Sequence, residues 1–406
     1  MRDRRIDQAR KENYSRFRRL KRDVGLGLLW AAGWGAAAIS VLEGLLNALR
    51  HSQDFQWSPT ALLLHHIDPW QYTLAGNSLY SSVLGPTSSY CQAFYLHFLY
   101  LVLAPLGVMS FPVARTIWAF CNLFFAGLSL CLVKQIFQLT HAEWGITCIA
   151  FLCGLSFRNA LGNGQQTLLV LVFVALAYSA RIAWRKSLWF GLSYFKDSFA
   201  PPFVFDLLFS QPIGIVLVSL SPALVGILWA HWMLGGPWQH LIIEPVLVTR
   251  AIGPGVGDLM ALVDTFFPWR RDQSVLFFTL EYGVPFLAAA AAAWYMRFKS
   301  GLRGVELTQA MAAIYSTAAL LLFRHLGYDY LFLVFAFALA MKYRQQQAAR
   351  VILICIGYFW FVLKVEALLG LHMASALLVL NFLLLNLVVS QLLRIHYAER
   401  VQPAFE

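Results

Sequence analysis

Apolar runs of about 20 residues recur from Val24 to Leu393, and nothing else in the sequence limits the possible folds so strongly. That is the length a helix needs to cross a hydrocarbon core of about 30 Å. In lipid every backbone amide must find its partner inside the protein, which leaves helices or a closed barrel, and the alternating ten-residue pattern of a barrel is missing. Composition agrees: 59% of the residues are apolar and 13% charged, against about half and about a quarter in soluble domains. The expected fold is an all-α polytopic membrane bundle of about 11 to 13 membrane helices, some of them short or broken.

The formal charge of +11 is a statement about sidedness before it is one about nucleic acid. Residues 1–23 hold ten Lys/Arg against four acids and read as a cytosolic basic segment on anionic headgroups. The run from Val24 to Leu46 is too long for a signal-peptide core and reads as a retained first helix. Basic clusters at 181–186, 297–303, 342–350 and 394–400 mark later cytosolic turns. Joining them gives one membrane domain over 24–393, outer loops at 47–93 and 234–274, and a cytosolic tail at 394–406. On this path 94–109 enters and 113–137 exits. The segment 145–157, with about 13 apolar residues, is then half-inserted from the outer face. It leaves "RNALGNGQQT" (158–167) as non-helical backbone at that boundary, and 189–209 folds as a re-entrant hairpin around Lys196, Asp197, Pro201 and Pro202.

Polar chemistry gathers on the outer side. The first outer loop carries "HSQDFQWSPTALLLHHIDPWQY" (51–72). Asp68 before Pro69 reads as a helix cap, and Ser58 before Pro59 as the start of a second short interfacial helix. Asp54 has no capping duty. Beside Phe55 and Trp57, its carboxylate is expected among aromatics, where partial loss of water raises its basicity. The other clusters are Arg158 to Gln166, Lys196 with Asp197, and "RHLGYDY" (324–330), and ionisable groups at membrane depth are costly and usually functional.

Read in order, "DFQWSP...DPWQY", "GQQT", "GLSYFKDSFAPP" and "RHLGYDY" resemble the polyprenol-phosphate-mannose-dependent mannosyltransferases of glycosyltransferase family 87, in the GT-C superfamily. The resemblance covers roughly residues 50 to 340. It implies a GT-C bundle and an acidic catalytic base in the first outer loop, which the pattern places on Asp54. Thr167 departs from it, because an asparagine often stands there.

A lipid-phosphate sugar needs cations at its phosphate and a base for the acceptor hydroxyl. Arg158, Lys196, Arg324 and His325 are the candidates for the phosphate, with Gln165, Asp329, Asp68 and Trp57 as sugar-binding or orienting residues. The expected reaction is an inverting hexosyl transfer, with mannose as the first choice of sugar, to a lipid or glycan acceptor on the extracytoplasmic face of a plasma or inner membrane. The same chemistry with glucose, galactose or arabinose, or a transporter or flippase, stands as the alternative. No metal, cofactor or nucleic-acid partner is called for: D-x-D, GxxxxGK[ST] and HExxH are absent, "GPGVGD" (253–258) reads as turn chemistry, and the six cysteines form no CxxC pair.

Overall fold

The computed structural model describes residues 2–75, 92–251, 256–266, 282–361 and 373–401, with side chains described from Gly25 onward except at 249–251, 264–266, 373–375 and 396–401. The described residues are helical and carry no strand. Among the described residues five helices are long and apolar enough to cross a membrane, or six if one bent pair counts as a span. The chain is a multi-pass helical membrane protein. Calls on residues 76–91, 252–255, 267–281, 362–372 and 402–406, including Cys91 and the first half of "GPGVGD", lie outside the described residues.

In chain order the helices are α1 (Arg2–Arg50), α2 (Trp57–Leu64), α3 (Pro69–Leu74), α4 (His97–Gly107), α5 (Phe111–Phe137), α6 (His141–Cys153), α7 (Leu155–Gly162), α8 (Thr167–Ser179) and α9 (Ala183–Ser193). Then follow α10 (Ala200–Ser210), α11 (Ile213–Leu234), α12 (Trp238–Ala251), α13 (Leu259–Phe266), α14 (Val284–Phe298), α15 (Gly304–Leu322), α16 (Val334–Lys342), α17 (Gln347–Phe361) and α18 (Met373–Val401). Short 3-10 turns at Asp197–Phe199 and Gly327–Leu333 interrupt two of the helical stretches. The end of the bundle where α1 finishes is called the loop face below, and the opposite end the basic face.

Two sequence readings are corrected by contacts. The segment 94–109 does not cross. Its helix α4 has 11 residues, about 16 Å, and its C-terminal carbonyls of Leu106 and Met109 accept from the Trp57 indole of α2 on the loop face. Consequently α5 starts at the loop face, where Arg115 donates to the carbonyl of Arg50 at 2.8 Å. It ends at the basic face, where the Ile136 carbonyl accepts from Gln309 and Gln309 accepts from Lys342.

The segment 145–157 is not half-inserted. α6 and α7 together form one span bent by 58° at Gly154. They run parallel to α1 over its whole crossing, with Trp30 on Gly145, Ile149 on Gly33, Leu161 on Gly44 and Asn47 on Gly162. Glu143 at the start of α6 is ion-paired to Arg344 at the basic face. Residues 158–162, expected as irregular backbone, are the end of α7, so only 163–166 are non-helical. Ser58 is likewise not a cap, because α2 already starts at Trp57 with Gln56 before it.

The expected hairpin at 189–209 is present. Lys186 near the start of α9 reaches Asp206 near the end of α10 at 3.3 Å, so the two helices fold back on each other, with Lys196 near the tip. α9 lies so close to α11 that a Cβ on Gly191 would stand 2.1 Å from the Ser219 carbonyl oxygen. At the foot of the hairpin Asp206 also accepts from Arg297 at 2.6 and 2.9 Å and from the Tyr315 hydroxyl at 3.3 Å. Above this ionic cluster lies a layer of buried rings: Phe190 on Phe203 at 4.7 Å, Phe199 on Phe332 at 4.0 Å, and Tyr178 beside Phe335. The candidate site lies beyond this layer, toward the loop face. It stands at the start of α8, about 16 Å along that helix from Tyr178.

Candidate active site

Asp54 sits in the turn between α1 and α2, where its amide donates to the Asn163 carbonyl at 2.9 Å. That turn is fixed by Gly164, whose φ of +70° suits glycine. A Cβ there would stand 3.0 Å from Phe55 and 3.2 Å from Ser52. Trp118 of α5 stacks on Phe55 and donates to the Gly164 carbonyl at 2.8 Å, which locks the loop to the bundle. Burial pushes the Asp54 carboxyl above its ordinary range, against hydrogen bonds from the Gln165 and Asn163 side chains and the field of Lys196. Asp54 is thus near enough to feel a cation more than 140 residues away in the chain.

That cation is itself engaged. The Lys196 ammonium donates to Asp329 at 2.5 Å and to the Thr167 hydroxyl at 3.1 Å, and Thr167 donates to Asp329 at 2.8 Å. The other oxygen of Asp329 accepts from the Leu326 amide at 3.1 Å, capping the 3-10 turn Gly327–Leu333. The sequence offered Asp197 as the partner of Lys196. Asp197 instead keeps an accessible side chain at the start of its own 3-10 turn. The ammonium also lies over the rings of Tyr328 at 5.0 Å and Tyr95 at 5.6 Å.

Tyr95 was invisible to sequence reasoning because it is uncharged and belongs to no motif. Its hydroxyl donates to Gln165 at 2.9 Å, so Tyr95, Gln165 and Asp54 form a chain of hydrogen bonds beside Lys196. Asn163, the second amide on Asp54, was passed over inside "RNALGNGQQT". Gln56 holds the neighbourhood in place. It accepts from the Tyr100 hydroxyl at 2.9 Å and donates to the Gln92 carbonyl at 3.0 Å.

The other sequence candidates fall elsewhere. Arg158 is paired with Glu43 of α1 at 2.7 Å, a partly exposed contact on the α1 side of α7, so it does not join the cluster. Trp57 is spent on the end of α4 and packs on Phe111. Arg324 and His325 flank the Asp329 turn on the side of Asp258, which is fully buried. Asp258 caps α13 through Ala261 at 2.8 Å, and its second oxygen lies 3.7 Å from His325 Nδ1. The sequence signal at Asp258 was masked by the glycines before it.

Asp68 is the expected cap, accepting from Trp70 at 2.9 Å and Gln71 at 3.1 Å. Burial, with the Glu244 carboxylate of α12 nearby, raises its pKa to about 6. A carboxyl whose folded pKa lies above its unfolded value of 3.8 holds its proton more tightly when folded, so stability falls as pH rises from about 4 to about 6 and then levels. Asp68→Asn keeps a good cap and removes this titration. Thermal melts in detergent from pH 4 to 8 should show a declining wild-type Tm and a flatter mutant, and parallel curves would reject the coupling.

Among the described residues no group of three or more His, Cys, Asp or Glu is arranged to hold a metal ion. No family model, no curated protein and no solved structure matches this chain.

Proposed function

We propose that the protein is a membrane glycosyltransferase that moves a hexose, mannose by preference, from a polyprenyl-phosphate donor to a hydroxyl of a lipid or glycan acceptor. The observation that supports this most is the meeting of Asp54, held by two amides, with the field of Lys196 on one face of the bundle. Asp54 acts as the base: it takes the acceptor proton as the acceptor oxygen attacks the anomeric carbon, the sugar–phosphate bond breaks, and the configuration inverts. Polyprenyl phosphate leaves with the bonding electrons, and Lys196 stabilises its charge. Gln165 and Tyr95 orient Asp54. Asp329 holds Lys196 in register. The reading takes the loop face as extracytoplasmic, with both termini cytosolic, in a plasma or inner membrane.

A transporter is disfavoured by the ring layer. Between the Lys196 cluster and the Asp206 cluster lie Phe190, Phe199, Phe203, Phe332 and Phe335, all buried, so a layer of apolar rings separates the two charged clusters. The deciding experiment incubates detergent-purified protein with prenyl-phosphate mannose and a membrane-lipid extract. Labelled product without a sealed bilayer is expected. No product from mannose, glucose, galactose or arabinose donors, together with uptake by proteoliposomes, would overturn the enzyme reading.

A further inference from the structure

α12 lies in the second loop and is too short to cross, at 14 residues. One of its faces is committed. Leu241, Glu244, Pro245 and Val248 are buried, and Glu244 accepts from Gln71 of α3 at 3.0 Å. The opposite face presents Trp238, Ile242 at 58% exposure, Ile243 at 51% and Leu247. Four large apolar side chains bare on one short helix are not what a water-facing loop presents.

The neighbouring helix tells what covers them. α11 is a span, and its exposed stripe runs Ile213, Leu217, Leu220, Leu224 and Leu228 to Trp232 at 76% exposure. In a crossing helix such a stripe faces acyl chains, and a tryptophan at its end sits at headgroup level. The stripe does not stop there. Across the Gly235–Gly236 corner, Trp238 stacks on His231 at 3.8 Å, and the apolar surface continues along Ile242, Ile243 and Leu247. We infer that α12 is an interfacial helix whose bare face is sunk into the leaflet on the loop face, making the second loop a membrane-bound element. The inference is independent of the enzyme reading, and it extends membrane-surface helices beyond the first loop, where alone the sequence placed them. Burial of this face follows the rule for in-plane helices, which dip about 5–10 Å into the boundary between headgroups and chains.

The test uses the full chain in nanodiscs containing a phosphatidylcholine with a diazirine on its acyl chain. After illumination, mass spectrometry is expected to find adducts on Ile242, Ile243 and Leu247 as well as on Leu217 and Leu224 of α11, which serve as the internal control. The double substitution Ile242→Asp, Ile243→Asp is expected to lose the α12 adducts and keep those on α11. Labelled α11 with an unlabelled α12 overturns the inference, as do crosslinks from α12 to a second copy of the chain in place of lipid. The wild-type labelling decides the matter even if the variant does not fold.

Discussion

Replacing Asp54 with asparagine is expected to abolish sugar transfer while the protein still folds and still binds donor. The substitution keeps the size and one acceptor oxygen for the Gln165 and Asn163 amides, but removes the carboxylate charge that, in the proposed reaction, takes the acceptor proton. Loss of a general base costs about 10²- to 10⁴-fold in rate. Because burial lifts the Asp54 carboxyl above its usual range, the wild-type rate should rise with pH along a limb displaced upward from that of an ordinary aspartate. Single-turnover assays with labelled donor, run from pH 4 to 8 beside a donor-binding measurement, check both statements. A mutant with wild-type rates rejects Asp54 as the base.

The second large effect belongs to the Lys196 and Asp329 pair. Both groups are buried, and removing one leaves the other charge with no partner in a medium that solvates it poorly. Breaking such a pair costs about 3–5 kcal/mol, whereas replacing both members by neutral groups costs far less. Lys196→Met alone should therefore lower Tm sharply. Lys196→Met combined with Asp329→Asn should recover most of it, since the asparagine oxygen can still accept from the Leu326 amide while its NH2 donates to the Thr167 hydroxyl. Activity should stay absent in both, because the ammonium that would stabilise the leaving phosphate in the proposed reaction is gone. Recovery of stability together with activity in the double variant would show that Lys196 only holds the fold; equal loss of Tm in single and double variants would show that the pair is not coupled.

The helices themselves were legible, since apolar length is what the bilayer demands. The path through them was legible only in part. Reading α4 as a span and the α6–α7 pair as half a span are two errors that cancel: the described elements after Asn163 run in the same directions relative to the Asp54 turn as in the sequence path. Charge could not expose them, because the exchange moves Arg115 to the loop face and Lys134 to the basic face, leaving the balance as before. The hidden fact was the 58° bend at Gly154, which splits one crossing into two pieces, each too short when weighed alone.

In the site, Asp54, Gln165, Lys196 and Asp329 announced themselves as polar groups in an apolar chain, and they do gather. Arg158 carried the same signal and is satisfied by Glu43, an acid inside the first helix that the pattern of basic clusters never weighed. Tyr95 and Asn163 carry no charge, and their part depends on a segment meeting the Asp54 turn, which only the fold brings about.

The shortness of α8 has a consequence for which molecules can be served. From Thr167 to Tyr178 α8 measures only about 16 Å, short of a hydrocarbon layer of about 30 Å, and its head lies beside the Asp54 turn that follows the long crossing helix α1. In the proposed reaction the acceptor would therefore present its hydroxyl at the loop-face end of the bundle, where lipid-anchored sugars and glycan ends can both reach.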